Sequence, residues 1–368
     1  MGIGLKLLTT LLEQGQIEVD ATRCLHAWYK ESSCTKCTAV CPEEKAISFG
    51  KGELELLSNH CQECMNCVAV CPTGAFWDRK TVERYDSIRK RSRVIFACNR
   101  QGNNQQHVLF FCLQQLKPVH LLFSADHSES VNIILNETEC RTCPLFHVEV
   151  LEYVHSLVNY INKLIQSKHQ EVRLIDRESM GLDSSSSMEM LTRKQLFEIL
   201  RKKTVSSTIE SLIPTIVKGI RKGKLSAHLD EQLLVSLLAK YECTNAEITG
   251  NLFNKVKVNV NNHCNGCGKC SLFCPTGSLT SDIKGNIFNL SQRIDDCVNC
   301  ELCREICPKQ AICYEYEFFL AELKIKSTRI EIYIDKCPTC GKSVVKGEIC
   351  PECSKKRRLE VDINEFFS

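Results

Sequence analysis

The sequence has no apolar run approaching the ~18 residues that a bilayer-spanning helix needs, which argues against an integral membrane protein and leaves open docking on a membrane-bound partner. The first residues do not read as a secretory leader either. Residues 3–12 (IGLKLLTTLL) are apolar, but no basic stretch precedes them and no small-residue cleavage site follows, so they read as an amphipathic helix of a cytoplasmic chain. There is no surplus of one charge. The 47 Lys and Arg residues against 44 Asp and Glu give +3, and cysteines held as metal thiolates would turn that total negative, which disfavours a phosphate-binding role. No flavin, nicotinamide or molybdopterin motif is present, and no paired histidine and carboxylate set stands out. The GKS at 341–343 lacks the upstream glycine of a phosphate loop, because position 336 is lysine.

What the chain has is cysteine: 26 in 368 residues. Disulfide scaffolds belong to small secreted chains, whereas this one is long enough to bury a core unaided. The cysteines are clustered, with eight in 24–71, eight in 264–307 and four in 337–353. CQECMNCVAVCPTGAF (61–76) and CNGCGKCSLFCPTGSL (264–279) share one cysteine frame and the CPTG ending, which marks an internal duplication.

Three runs have cysteines two residues apart, then three residues, then Cys-Pro, the spacing of iron–sulfur ligation. They are Cys61, Cys64, Cys67, Cys71; Cys264, Cys267, Cys270, Cys274; and Cys297, Cys300, Cys303, Cys307. A fourth run is altered. Cys34, Cys37 and Cys41 keep the frame, but Glu31 stands at the first ligand position and the nearest upstream thiol is Cys24, which implies a seven-residue insertion. Three thiolates wrap one cluster and the fourth points to its neighbour, so the expected ligand sets are crossed. They are Cys24, Cys34, Cys37, Cys71; Cys61, Cys64, Cys67, Cys41; Cys264, Cys267, Cys270, Cys307; and Cys297, Cys300, Cys303, Cys274.

These runs resemble the 2[4Fe-4S] bacterial ferredoxins over about fifty residues each, and the tandem arrangement is similar to polyferredoxin subunits of larger redox enzymes. The resemblance implies a βαββαβ-like fold around paired clusters that carry single electrons.

Two further sets stand apart. Cys98 and Cys112 end strand-like runs (RVIFAC, HVLFFC), and Cys140 and Cys143 form a CxxC after a third (VNIILN); parallel strands would bring all four to one sheet edge. Zinc, a [2Fe–2S] or a [4Fe–4S] cluster fits four thiolates, and the alternative is a redox-active CxxC beside two buried thiols. The second set, Cys337, Cys340, Cys350 and Cys353, resembles a zinc ribbon, or a rubredoxin-like iron knuckle. KKRR at 355–358 lacks interleaved aromatics, so no nucleic-acid partner is expected. Cys243 and Cys313 default to core packing. His26, His60 and His263 sit beside cluster cysteines, where hydrogen bonding tunes potential or the rings are simply at the surface.

The expected fold class is α+β multidomain: a first ferredoxin-like module (1–87), a small α/β domain (88–178), a flexible linker (179–190, from GLDSSSSMEM), a helical segment (191–250), a second ferredoxin-like module (251–322) and a zinc-ribbon-like domain (323–368). The expected function is that of a non-catalytic electron-transfer protein or subunit, relaying electrons through four [4Fe-4S] clusters to or from a partner oxidoreductase, with zinc in the ribbon. The relay is expected to cross between modules through the central segments. The alternatives are a redox enzyme centred on Cys98, Cys112, Cys140 and Cys143, and a redox-responsive nucleic-acid-binding regulator.

Overall fold

The structure, a computed structural model, describes residues 16–50, 53–102, 106–143, 149–166, 170–176, 224–225, 228–240, 247–341, 343–345, 349–350 and 352–355. The expected helix at 3–12, the linker, Cys243, most of the helical segment and Lys356 to Arg358 lie outside these residues. The chain divides into two compact units, residues 1–79 with 241–368, and residues 80–240.

In the first unit one order of elements occurs twice: strand, helix, strand, strand, helix, strand. The first copy runs Ile17–Val19, Lys36–Ala39, Ile47–Gly50, Glu53–Leu56, Asn66–Val70 and Phe76–Asp78. The second runs Lys257–Val260, Lys269–Leu272, Leu279–Lys284, Ile287–Gln292, Leu302–Glu305 and Ile312–Glu315. In each copy the outer strands pair antiparallel (Ile17 with Asp78, Lys257 with Glu315) and the inner strands form a hairpin (Ile47 with Leu56, Leu279 with Gln292). Helices of one turn do not stand alone in water, so the cysteine loops and the core must hold them. The first copy carries an addition: a 3-10 turn, Ala21–Arg23, capped by Asp20 Oδ1 accepting from the Thr22 N–H (3.1 Å), and a helix, Leu25–Trp28. The helix lies in the inserted stretch between Cys24 and Cys34, and the turn leads into it.

The hairpin of the second copy extends into a four-stranded sheet. Strand Ser327–Lys336 pairs with Ile287–Gln292 and, by its last residues, with Ser343–Val345, so it runs without interruption from the second copy into the C-terminal cysteine pairs.

The second unit holds a parallel sheet in the order Val108–Phe110, Arg93–Cys98, Ser130–Ile134, Val172–Ile175. Val94, Ile95, Phe96 and Ala97 are all buried, as a parallel strand covered on both faces requires. Helix Glu149–Ile165 buries Val150, Val154, Leu157, Val158, Ile161 and Ile165 at helical spacing.

Helix Leu229–Leu238 is anchored through Asp230, which accepts from the Tyr85 hydroxyl (2.9 Å) and pairs with Lys117 Nζ (2.8 Å). Burial opposes its charge, yet Lys117 and His120 hold this carboxyl well below the usual carboxylate range. A depressed carboxyl stabilises the fold fully above its unfolded pKa of about 3.9, and the contribution is lost as pH falls toward the folded value. Asp230→Ala is expected to cost about 2 kcal/mol at neutral pH, read as faster hydrogen exchange in helix Leu229–Leu238 of the full chain. The difference from the wild type should narrow below about pH 4.

Candidate functional site

The cysteine runs of the first unit form loops of one kind. In the three intact runs the residues flanking the middle cysteine take left-handed backbone: Glu63 (φ 53°) and Met65 (62°), Gly266 (65°) and Gly268 (69°), Asn299 (47°) and Glu301 (66°). Glycine does this without steric cost; the other residues carry about 1–2 kcal/mol each. The winding turns N–H groups onto sulfur, Glu63 onto Cys61 Sγ (3.4 Å) and Asn299 onto Cys297 Sγ (3.5 Å). After the Cys-Pro ends, Ala75 N–H donates to Cys71 Sγ and Ala311 N–H to Cys307 Sγ, each at 3.3 Å. The altered run is wound differently, with Thr35 at φ −124°.

Sixteen thiols gather in four neighbourhoods, each mixing two runs. Burial, then Cys71, Cys34 and Cys24, push the Cys37 thiol up to about 12. Burial raises Cys64, with Cys41 and Cys61 adding to it, and burial raises Cys67, with Cys64 and Cys61 adding. Cys270 is pushed up to about 12 by burial and then by Cys264, Cys267 and Cys307. Cys303 is pushed up to about 12 by burial, with Cys297 and Cys274 contributing. Cys274, Cys297, Cys300 and Cys303 also line one cavity with Val256, Leu279 and Tyr314. Raised thiols favour the protonated form, so metal binding there must displace protons.

Three contacts surround these thiols; those of Lys255 and Tyr314 have no signature in the sequence, whereas His26 is among the histidines that stand beside cluster cysteines. Lys255 is only 2% exposed, and its ammonium donates to the carbonyls of Asp295 (3.0 Å) and Cys297 (2.8 Å). The Tyr314 hydroxyl lies 3.3 Å from Cys303 Sγ. His26 Nε2 is hydrogen-bonded to the Cys34 carbonyl (2.8 Å).

The C-terminal set differs in spacing. The sulfurs of Cys337, Cys340, Cys350 and Cys353 all lie within 4.8 Å of one another, the one such group among the described residues. A tetrahedral ion with Zn–S near 2.3 Å sets its sulfurs about 3.8 Å apart, so this set suits a single metal ion. The Cys350 N–H donates to Cys337 Sγ (3.4 Å) and pulls that thiol's pKa down. The sixteen thiols do not close to that spacing, as a larger multi-iron core requires.

In the second unit Cys98, Cys112, Cys140 and Cys143 line a cavity of about 570 Å³ at the carboxyl ends of the strands. Burial raises Cys112, with Cys98 and Cys143 adding to it. Cys140 is pushed up to about 11 by burial, then by Cys98 and Cys112. Cys313, expected in the core, is exposed on strand Ile312–Glu315, because alternation in that strand turns Ile312 inward.

Two family models, both described as 4Fe-4S dicluster domains, match residues 16–72 and 263–311. The chain carries two 4Fe-4S dicluster domains. The first match spans the altered run, so the insertion lies inside a dicluster domain. No curated protein matches the chain. No described helix is long and apolar enough to cross a membrane.

The two dicluster domains touch. Leu25, Leu302 and Ile306 form one buried cluster, packed by Trp28, Tyr29, Cys34, Phe273 and Cys300. Tyr29 and Phe273 meet edge to face at 5.7 Å. Polar contacts ring this core: Ser33 N–H and Ser32 Oγ donate to the Glu305 carboxylate, and Lys36 pairs with Glu301 (3.3 Å). The inserted stretch supplies Leu25, Trp28 and Tyr29. The domains thus meet directly rather than only through the central segments expected from the sequence, because the insertion gives the first an apolar face that packs on the second.

Proposed function

We propose that the protein is a cytoplasmic electron-transfer protein or subunit that holds four [4Fe-4S] clusters in the crossed sets Cys24/Cys34/Cys37/Cys71, Cys41/Cys61/Cys64/Cys67, Cys264/Cys267/Cys270/Cys307 and Cys274/Cys297/Cys300/Cys303. The observation that carries this reading is the gathering of sixteen thiols into four mixed neighbourhoods within two touching dicluster domains. A cubane supplies reversible one-electron uptake when bound. Four cysteines per set leave no iron site open to a substrate, which favours a carrier over an enzyme; a partner oxidoreductase would do the chemistry. Cys34 and Cys300 pack against the apolar junction, which favours one relay over two separate docking ends.

The C-terminal cysteines are read as a structural zinc site that pins the end of strand Ser327–Lys336. Cys337→Ala should remove about one zinc per chain and leave the iron content unchanged, measured by elemental analysis. Stepwise dithionite reduction of anaerobic protein tests the carrier reading. About four electron equivalents should be taken up reversibly with no substrate present. Reoxidation that requires a particular small molecule would favour an enzyme.

A further inference from the structure

The second unit lies outside both dicluster matches, yet its sheet gathers four thiols. The strand order reverses between Arg93–Cys98 and Ser130–Ile134, and the crevice beyond the carboxyl ends at such a reversal is where open α/β sheets bind ligands. Cys98 is the last residue of the first strand, and Cys112 follows the second by two residues. Cys140 lies on helix Glu137–Arg141, just after the third strand, and Cys143 just beyond that helix. All four face one cavity.

The surroundings are organised around the sulfurs. Arg100 Nη1 donates to Cys143 Sγ (3.3 Å), and Gln101 Nε2 lies within 3.8 Å of Cys140 Sγ. Gln101 also ties the loop after Cys98 to the start of the helix that bears Cys140: Nε2 donates to the Asn136 carbonyl (3.2 Å) and Oε1 accepts the Asn136 N–H (3.3 Å). Asn136 in turn caps that helix, its Oδ1 accepting from the Glu139 N–H (3.0 Å). The return of this loop depends on Gly102, where a Cβ would lie 2.3 Å from Leu109 and 2.7 Å from Ala97. Donors aimed at sulfur stabilise thiolates and, in metal sites, orient the ligands and tune the metal.

Spacing separates the candidate metals. The C-terminal set closes to within 4.8 Å, as a single ion needs, whereas these four sulfurs do not, a property they share with the sixteen of the dicluster domains.

We infer that Cys98, Cys112, Cys140 and Cys143 hold an additional iron–sulfur cluster in the α/β unit, with Arg100 and Gln101 as hydrogen-bond donors to its thiolate ligands. This site is independent of the relay reading, since it shares no residue with the dicluster domains.

The test compares full-length, anaerobically purified protein with the variants Cys98→Ala/Cys112→Ala and Arg100→Gln, by iron, sulfide and zinc content and by EPR of the reduced samples. The double variant should lose about two to four iron per chain with matching sulfide, while the dicluster signals and the zinc content stay as in the wild type. Arg100→Gln retains every thiol and an exposed position, so it tests the site without depending on the fold of the double variant. Its iron content should be unchanged, and the midpoint of one signal alone should shift negative. Unchanged iron in the double variant, loss of zinc in place of iron, or a Cys140–Cys143 disulfide in the wild type would each overturn the inference. Failure of the relay reading would show instead as absent dicluster signals in the wild type.

Discussion

Replacing Cys24 with alanine is expected to remove one of the four clusters and leave three. In the intact runs the first cysteine precedes the second by three positions, whereas Cys24 precedes Cys34 by ten, across the short helix Leu25–Trp28. The fold nevertheless returns Cys24 to Cys34, Cys37 and Cys71: after burial, Cys71 and Cys34 push the Cys24 thiol up, and Cys71, Cys34 and Cys24 push up Cys37. Glu31, which occupies the frame position, is exposed and accepts the Tyr29 hydroxyl (2.8 Å). Cys24→Ala should therefore lower iron and acid-labile sulfide by about four per chain, and Glu31→Gln should change neither. A full iron complement in Cys24→Ala would remove Cys24 from the ligand set.

Leu302→Ala is expected to weaken the junction between the two dicluster domains by about 3 kcal/mol. Leu302 is fully buried between the domains, and its neighbours Cys300 and Cys303 fix the backbone on both sides, so the site has little freedom to collapse into the space left behind. Iron content should hold, while hydrogen exchange in helix Leu25–Trp28 rises and the magnetic interaction between reduced clusters of the two domains declines. Exchange and line shape identical to those of the wild type would mean that the contact contributes nothing to how the domains are held.

The cysteine frame could be read without any structure because ligand spacing is a local property: three thiols on one loop, a fourth past Cys-Pro. The duplicated strand and helix order follows from the same loops. Of the six left-handed positions beside their middle cysteines only Gly266 and Gly268 carry the residue type that favours them; Glu63, Met65, Asn299 and Glu301 adopt the winding with side chains that advertise nothing. The junction was not legible, since Leu25 and Leu302 are distant in the chain and each looks like an ordinary apolar residue of a short helix. Lys255 misleads in the opposite direction: a lysine suggests solvent, yet two loop carbonyls satisfy its ammonium inside the second domain. Strand Ser327–Lys336 hides another continuity. Its first residues complete a sheet of the second domain, so no sequence break separates that domain from the C-terminal cysteines.

The most direct measurement is the iron and acid-labile sulfide content of anaerobically purified protein, with EPR before and after dithionite. The expected result is at least about sixteen iron with equal sulfide per chain, and reduced spectra broadened by interaction between paired clusters. About eight iron or fewer, or iron without sulfide, would contradict four clusters held by two dicluster domains.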